Sequence, residues 1–213
     1  MFDWLRTLYA LPGIILGLTI HEFCHAFCAW KLGDNTAKEQ GRVTLNPLKH
    51  IDLIGMLFII IAGFGWAKPV QFDPQQLKNY RRDKALIAAA GPLSNLVIGL
   101  LLVLIIRFII YLFSGQYYDL SESTVSFINN FISVLYTGCA INFGLFIFNL
   151  LPIPPLDGSH IVFSGLNIKP DLEEKIRKIG MPLLLLIIIL QNSIGIPIIP
   201  IGHAVNWIMN FLL

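Results

Sequence analysis

The sequence predicts an all-α polytopic membrane protein with about four to six transmembrane helices, a re-entrant segment and short β elements near the cytoplasmic face. Three observations carry that prediction. Of 213 residues, 55% are hydrophobic and only 13% charged, against about a quarter charged in an ordinary soluble domain. The mean hydropathy is +0.70. The apolar residues are gathered into runs approaching the ~20 residues that a helix needs to cross a bilayer, and the charges fall in short stretches between them. This excludes an ordinary cytosolic enzyme and makes the lipid bilayer the solvent. Fifteen Lys and Arg nearly cancel thirteen Asp and Glu, so no basic field exists to hold nucleic acid and none is expected as a partner. The length suits one domain, 1–213. Cys24, Cys28 and Cys139 all lie in apolar runs and make no disulfide framework.

Taken in order, the first run lies between Arg6 and Lys31, where Glu22 is the only formal charge. Twenty-four residues make about 36 Å of helix, enough for one span. Arg6 before an apolar run resembles a signal peptide, but no small-residue cleavage site follows, so the helix is expected to be retained. Residues 31–50 are polar, and the alternation in Gly41-Arg42-Val43-Thr44-Leu45 predicts a short strand or hairpin. Leu53 to Ala67 is apolar but only 15 residues long, about 23 Å as a helix, and ends in the turn-forming Gly63-Phe64-Gly65-Trp66. After a basic loop at 68–84, Ala85 to Phe113 is a second long span, with Arg107 near its end. A third apolar stretch runs from Ser123 to Ile168, broken by Pro152, Pro154 and Pro155 and carrying Asp157 as its only charge. Ile179 to Leu213 has no formal charge, and Pro197 and Pro200 predict a helical hairpin or a broken helix there.

Loop charges orient these spans. Lys and Arg number four in 31–50, five in 68–84, none in 114–130 and four in 169–178. The positive-inside rule puts the first, second and fourth stretches in the cytoplasm and the third outside. Because the loops on both sides of 51–67 then share one face, that segment is expected to dip into the membrane and return, which is tolerated only where protein or a water-filled cavity receives its backbone.

Residues 21–25 read His-Glu-Phe-Cys-His, the HExxH pattern. On a helix His21 and His25 lie one turn and about 40° apart, so both imidazoles can meet one metal with Glu22 beside them to activate a water. Ionisable groups are costly inside a hydrocarbon span, which makes them a functional hypothesis by default. Two histidines leave zinc short of its usual three protein ligands. Asp157 is the other carboxylate in the apolar stretches, and its depth matches. His21 lies ten residues before Lys31, about 15 Å of helix, and Asp157 twelve before Lys169, about 18 Å if helical. Cys28 and His160 are the alternative third ligands. Asn95 reads as a hydrogen bond between helices.

At this point the chain resembles the site-2 proteases, intramembrane zinc metalloproteases, of the short bacterial type without PDZ or CBS domains. The resemblance runs through His21-Glu22-Phe23-Cys24-His25, Leu45-Asn46-Pro47-Leu48-Lys49-His50-Ile51-Asp52, Gly65-Trp66-Ala67-Lys68-Pro69-Val70, Ala90-Gly91-Pro92-Leu93-Ser94-Asn95 and Phe148-Asn149-Leu150-Leu151-Pro152-Ile153-Pro154-Pro155-Leu156-Asp157-Gly158. It implies one Zn2+ per chain held by His21, His25 and Asp157, with Glu22 activating a zinc-bound water and Asn149 steadying the substrate or the oxyanion. The family's NPxDG motif here reads Pro-Pro-Leu-Asp-Gly, which departs in the Asn and keeps the ligand. The implied activity is zinc-dependent endopeptidase cleavage in or near transmembrane segments, in a multi-pass protein of the bacterial plasma membrane. The implied partner is a membrane-embedded protein substrate such as a single-pass regulator. The competing class is a non-catalytic zinc-binding transporter or scaffold. A transporter spreads its polar groups along a pathway, whereas here they gather at one depth, and a structural site does not need Glu22.

Overall fold

The computed structural model describes residues 4–62, 65–115, 120–194 and 198–213. Eight α-helices occupy most of them: α1 (Trp4–Lys31), α2 (Thr36–Glu39), α3 (Leu53–Ala62), α4 (Tyr80–Phe113), α5 (Glu122–Asn149), α6 (Asp157–Gly165), α7 (Pro170–Ile194) and α8 (Ile201–Leu212). Three are long and apolar enough to cross a membrane: Thr7–Lys31 within α1, then α4 and α5. The described residues thus supply three candidate spans where four to six were expected.

These three helices form the frame. Tyr9 donates to Asn130 Oδ1 across 2.8 Å near one end of α1 and α5, and a Cβ on Gly13 would lie 2.6 Å from Gly138 Cα further along. Contacts that rise together in number make α1 and α5 parallel, and the glycines let their backbones touch. Against them α4 runs antiparallel, since His25 meets Ile87 while His21 meets Asn95. Val103, Ile106, Cys139, Phe143, Val205 and Met209 form the apolar core where α8 packs on α4 and α5. The 31–50 and 68–84 loops therefore share one end of the frame, and the C-terminal end of α4 and the N-terminal end of α5 lie at the other.

The α4 helix begins five residues before the apolar run that predicts it, because the Asn79 side chain caps it by accepting from Arg82 N–H at 3.2 Å. Pro152 to Pro155 does break the chain, leaving the turn of 150–156 between α5 and α6. Beyond α7, Pro200 sits at the start of α8, while Pro197 lies outside the described residues, as do Gly63 and Phe64. The segment expected to re-enter folds so that its two ends meet. With ten residues α3 is about 15 Å long, too short to cross, and the ends of the excursion meet through an antiparallel bridge between Ile51 and Ala67 and a 2.8 Å bond from Lys68 N–H to the His50 carbonyl.

The expected short β elements are a correction. Among the described residues that bridge stands alone, and no strand forms at 41–45. Gly41 turns the chain at φ +67. Arg42 N–H bonds the Ala37 carbonyl, Thr44 N–H bonds the Arg42 carbonyl, and the Thr44 carbonyl accepts from His50 Nε2 at 2.7 Å. Local turns and a buried histidine therefore satisfy the backbone that a ladder would otherwise pair.

Candidate metal centre

One helical turn sets His21 and His25 edge to face, with ring centroids 4.6 Å apart. The turn at 150–156 swings the first residue of α6 against them. Asp157 Oδ2 lies 3.2 Å from His21 Nε2 and 3.3 Å from His25 Nε2, and the two Nε2 atoms are 3.0 Å apart. Both histidines are buried. These three residues are the one His/Cys/Asp/Glu group among the described residues whose ligand atoms all lie close enough to share a metal ion.

Hydrogen bonding tells which atoms of the rings are free. His25 Nδ1 is 2.7 Å from the Ile87 carbonyl, which can only accept, so Nδ1 carries the hydrogen. His21 Nδ1 is 2.7 Å from Asn95 Oδ1, with the same consequence. In the neutral rings both Nε2 atoms are then bare lone pairs, and they face each other and the buried Asp157 Oδ2, which has no hydrogen-bond partner. Three electron-rich atoms in one buried place call for a cation. Tetrahedral zinc with bonds of about 2.0–2.1 Å holds its ligand atoms about 3.3 Å apart, close to the spacings here. Gly91 of α4 keeps the space clear, since a Cβ on it would lie 2.3 Å from His25 Nε2 and 2.7 Å from His21 Nε2. The residues present fit the metal.

Glu22 is buried next to the pair. Its Oε2 accepts from Val70 N–H at 3.1 Å and lies 3.8 Å from an Arg42 nitrogen, while Arg42 also donates to the Lys68 carbonyl. The return limb of the excursion is thereby tied to this carboxylate through one oxygen, leaving the other as an acceptor. Behind Arg42, burial holds His50 below the ordinary imidazole range and the neighbouring Arg42 charge adds to that.

Other residues named from the sequence sit elsewhere. Asn149, at the C-terminal end of α5, donates from Nδ2 to the Leu145 carbonyl at 3.0 Å, and among the described residues no hydrogen bond joins it to the cluster. Cys28 packs against the apolar group of Ala29, Leu77 and Ile87. One turn along α6 from Asp157, His160 faces Glu173 at 3.6 Å instead, where Glu173 is paired with buried Lys84. Asn95 does bond between helices, and its partner is His21 itself. Gly91, Arg42 and Val70 were not singled out for any role. Gly91 and Val70 lie in motifs that carry the family resemblance, and the four-residue spacing of Gly91 and Asn95 puts both on one face of α4.

Fold and site together define a helical membrane protein with a His-His-Asp cluster and an adjacent glutamate set between its helices. The chain belongs to peptidase family M50, which matches residues 9–191, and so to the site-2 protease family that its motifs resemble. It is 40% identical over 154 residues to "Putative zinc metalloprotease YwhC" of Bacillus subtilis, covering 72% of this chain and 67% of that protein. The proteins of the same description called Rip2 are 32% identical over 162 residues in Mycolicibacterium smegmatis, with 74% and 57% covered, and 31% over 157 residues in Mycobacterium tuberculosis, with 70% and 53% covered. The chain thus aligns with little more than half the length of the Rip2 relatives. No solved structure matches it significantly.

Proposed function

We propose that this chain is a zinc-dependent intramembrane endopeptidase, hydrolysing peptide bonds in or near transmembrane segments of membrane proteins. The observation that carries the reading is the convergence of three metal-type donors from α1 and α6 with Glu22 at the next position. The protein is read as multi-pass in a bacterial plasma membrane, with the Lys- and Arg-rich end of the frame cytoplasmic.

His21, His25 and Asp157 would hold the ion, and their buried setting explains how a carboxylate is tolerated there. Bound zinc supplies a Lewis acid that acidifies water and polarises a carbonyl. Glu22 takes the proton of the attacking water through the oxygen not held by Val70, and then returns it to the leaving amine. Val70 and Arg42 fix the carboxylate for this exchange. Asn149 commits one N–H to Leu145 and has a second to offer the carbonyl oxygen that gains charge. A helical substrate hides its carbonyls in its own hydrogen bonds, so the bond to be cut must first unwind. The non-helical limb 65–73 beside Glu22 offers backbone for the unwound chain to pair with. A single-pass membrane protein is the substrate class that fits.

The test is incubation of the purified, zinc-loaded protein with a panel of single-pass membrane substrates, comparing wild type with Glu22→Gln and measuring zinc in both. Cleavage by wild type alone, with equal zinc, supports the reading. Full activity in the variant removes Glu22 from the mechanism, and zinc without any cleavage in wild type leaves a metal-binding scaffold.

A further inference from the structure

Asn95 and Asn142 are both fully buried, where α1, α4 and α5 meet. An amide offers two hydrogens at one end and two lone pairs at the other, and the two ends are alike in shape, so its hydrogen-bond partners decide which end points where. For Asn142 the partners decide it outright. Its Nδ2 lies 2.8 Å from the Gly138 carbonyl and 3.4 Å from the Gly13 carbonyl. Both can only accept, so turning this amide over would set oxygen against oxygen twice. Asn142 must therefore present Oδ1 to α4, where Asn95 Nδ2 donates to it at 3.0 Å. The second Nδ2 hydrogen of Asn95 goes to the Gly17 carbonyl at 3.1 Å. With both hydrogens spent, only Oδ1 of Asn95 remains to face His21 Nδ1, 2.7 Å away. That ring nitrogen must be the protonated one, and Nε2 is left bare on the side of Asp157.

We infer that Asn142 is a positioning residue for the metal centre, which fixes the orientation of Asn95 and through it the tautomer and rotation of His21. The inference rests on the reading that His21 is a metal ligand. Backbone carbonyls of Gly13, Gly17 and Gly138, none of them part of the His-His-Asp group, become the fixed references for the ligand's lone pair. Partners of a ligating histidine commonly change metal affinity by about 10–100-fold when removed, and here the partner itself depends on a second amide. Without Asn142, the Gly17 carbonyl alone opposes a turn of the Asn95 amide, and the turned amide offers hydrogens to a nitrogen that needs an acceptor. His21 would then be steered toward the tautomer that blocks Nε2.

The test is a double-mutant cycle on zinc affinity, read by competition with a chromophoric chelator in detergent, with apo-protein thermal unfolding recorded alongside. Asn95→Ala is expected to weaken zinc about 10–100-fold, Asn142→Ala about 10-fold, and the double variant no more than Asn95→Ala alone. Asn142→Asp, uncharged in this fully buried place, keeps one oxygen to accept from Asn95 and a hydroxyl to donate to the Gly138 carbonyl, so it is expected to lose less affinity than Asn142→Ala and serves where the alanine variant does not fold. A purely structural amide lowers the unfolding temperature and leaves affinity unchanged. That result overturns the inference, as does an Asn142→Ala loss that recurs in the Asn95→Ala background, or an Asn142→Asp loss as large as that of Asn95→Ala. A wild type that binds no zinc refutes the metal reading and this inference with it, whereas zinc-binding wild type with one of those patterns refutes the relay alone.

Discussion

Gly91→Ala adds one methyl group where the structure has no room for it. Its Cβ would sit 2.3 Å from His25 Nε2, 2.6 Å from His25 Cε1 and 2.7 Å from His21 Nε2. Ordinary contact begins near 3.4 Å, so the His25 nitrogen has to retreat by about 1.1 Å. Neither ring can do so freely, because each is tied at Nδ1 by a 2.7 Å hydrogen bond, and a displacement of that size stretches such a bond beyond its useful range. Metal–ligand distances tolerate only about 0.2 Å. The variant should lose zinc affinity by at least about 100-fold, more than the loss of an outer partner and in line with the loss of a ligand. Overpacking costs about 1–3 kcal/mol, so the apo protein should unfold at a lower temperature yet still purify. Isothermal titration with zinc, set beside thermal unfolding of the apo form, separates the two effects. Wild-type zinc affinity in Gly91→Ala would refute the placement of the cluster against α4.

Asp157→Asn should lose both zinc and cleavage, while Asp157→Glu keeps part of the metal and little turnover, because two histidines cannot close the site and the lost charge also balanced the ion; zinc stoichiometry after dialysis against a weak chelator checks it. Glu173→Ala strands Lys84, which is buried at 3% exposure, and should cost about 3–5 kcal/mol in denaturant unfolding, whereas Lys84→Met with Glu173→Leu should fall near wild type. In a background without Cys24, Cys28 and Cys139, single cysteines at Asn35 and Lys78 should be protected together from an impermeant thiol reagent in intact cells while one at Glu122 reacts. Opposite labelling of Asn35 and Lys78 would mean that 51–67 crosses the membrane.

How much could be read from the sequence depended on the range of the interaction involved. Three candidate spans were legible because lipid demands long apolar runs, and the bridge between Ile51 and Ala67 agrees with the like charge on both flanks of that segment. His21 and His25 come together through helical spacing alone. Asp157, 132 residues beyond His25, could be matched by depth, because the charges at Lys31 and Lys169 serve as common reference points at the ends of the two apolar runs. The face of α4 that meets α1 had no such marker. It is set by helix crossing, so the closeness of Gly91 to the rings and the partner of Asn95 appear only in three dimensions. Alternation at 41–45 misled for a related reason. Arg42 and Thr44 occupy alternate positions as in a strand, but the Arg42 side chain reaches the Lys68 carbonyl and the Thr44 carbonyl takes the buried His50 ring, partners that an alternating pattern does not distinguish from a ladder. Asn149 was legible as a donor, while the direction of that donor was not.

Zinc K-edge X-ray absorption on the metal-loaded protein tests the central claim most directly, because it reads the ligand set itself. The account predicts one zinc per chain in a shell of nitrogen and oxygen at about 2.0–2.1 Å with the scattering pattern of two imidazoles and no sulfur. A sulfur shell at about 2.3 Å would place Cys24 or Cys28 on the metal, and a spectrum without imidazole scattering would remove His21 and His25; either result contradicts the site described here.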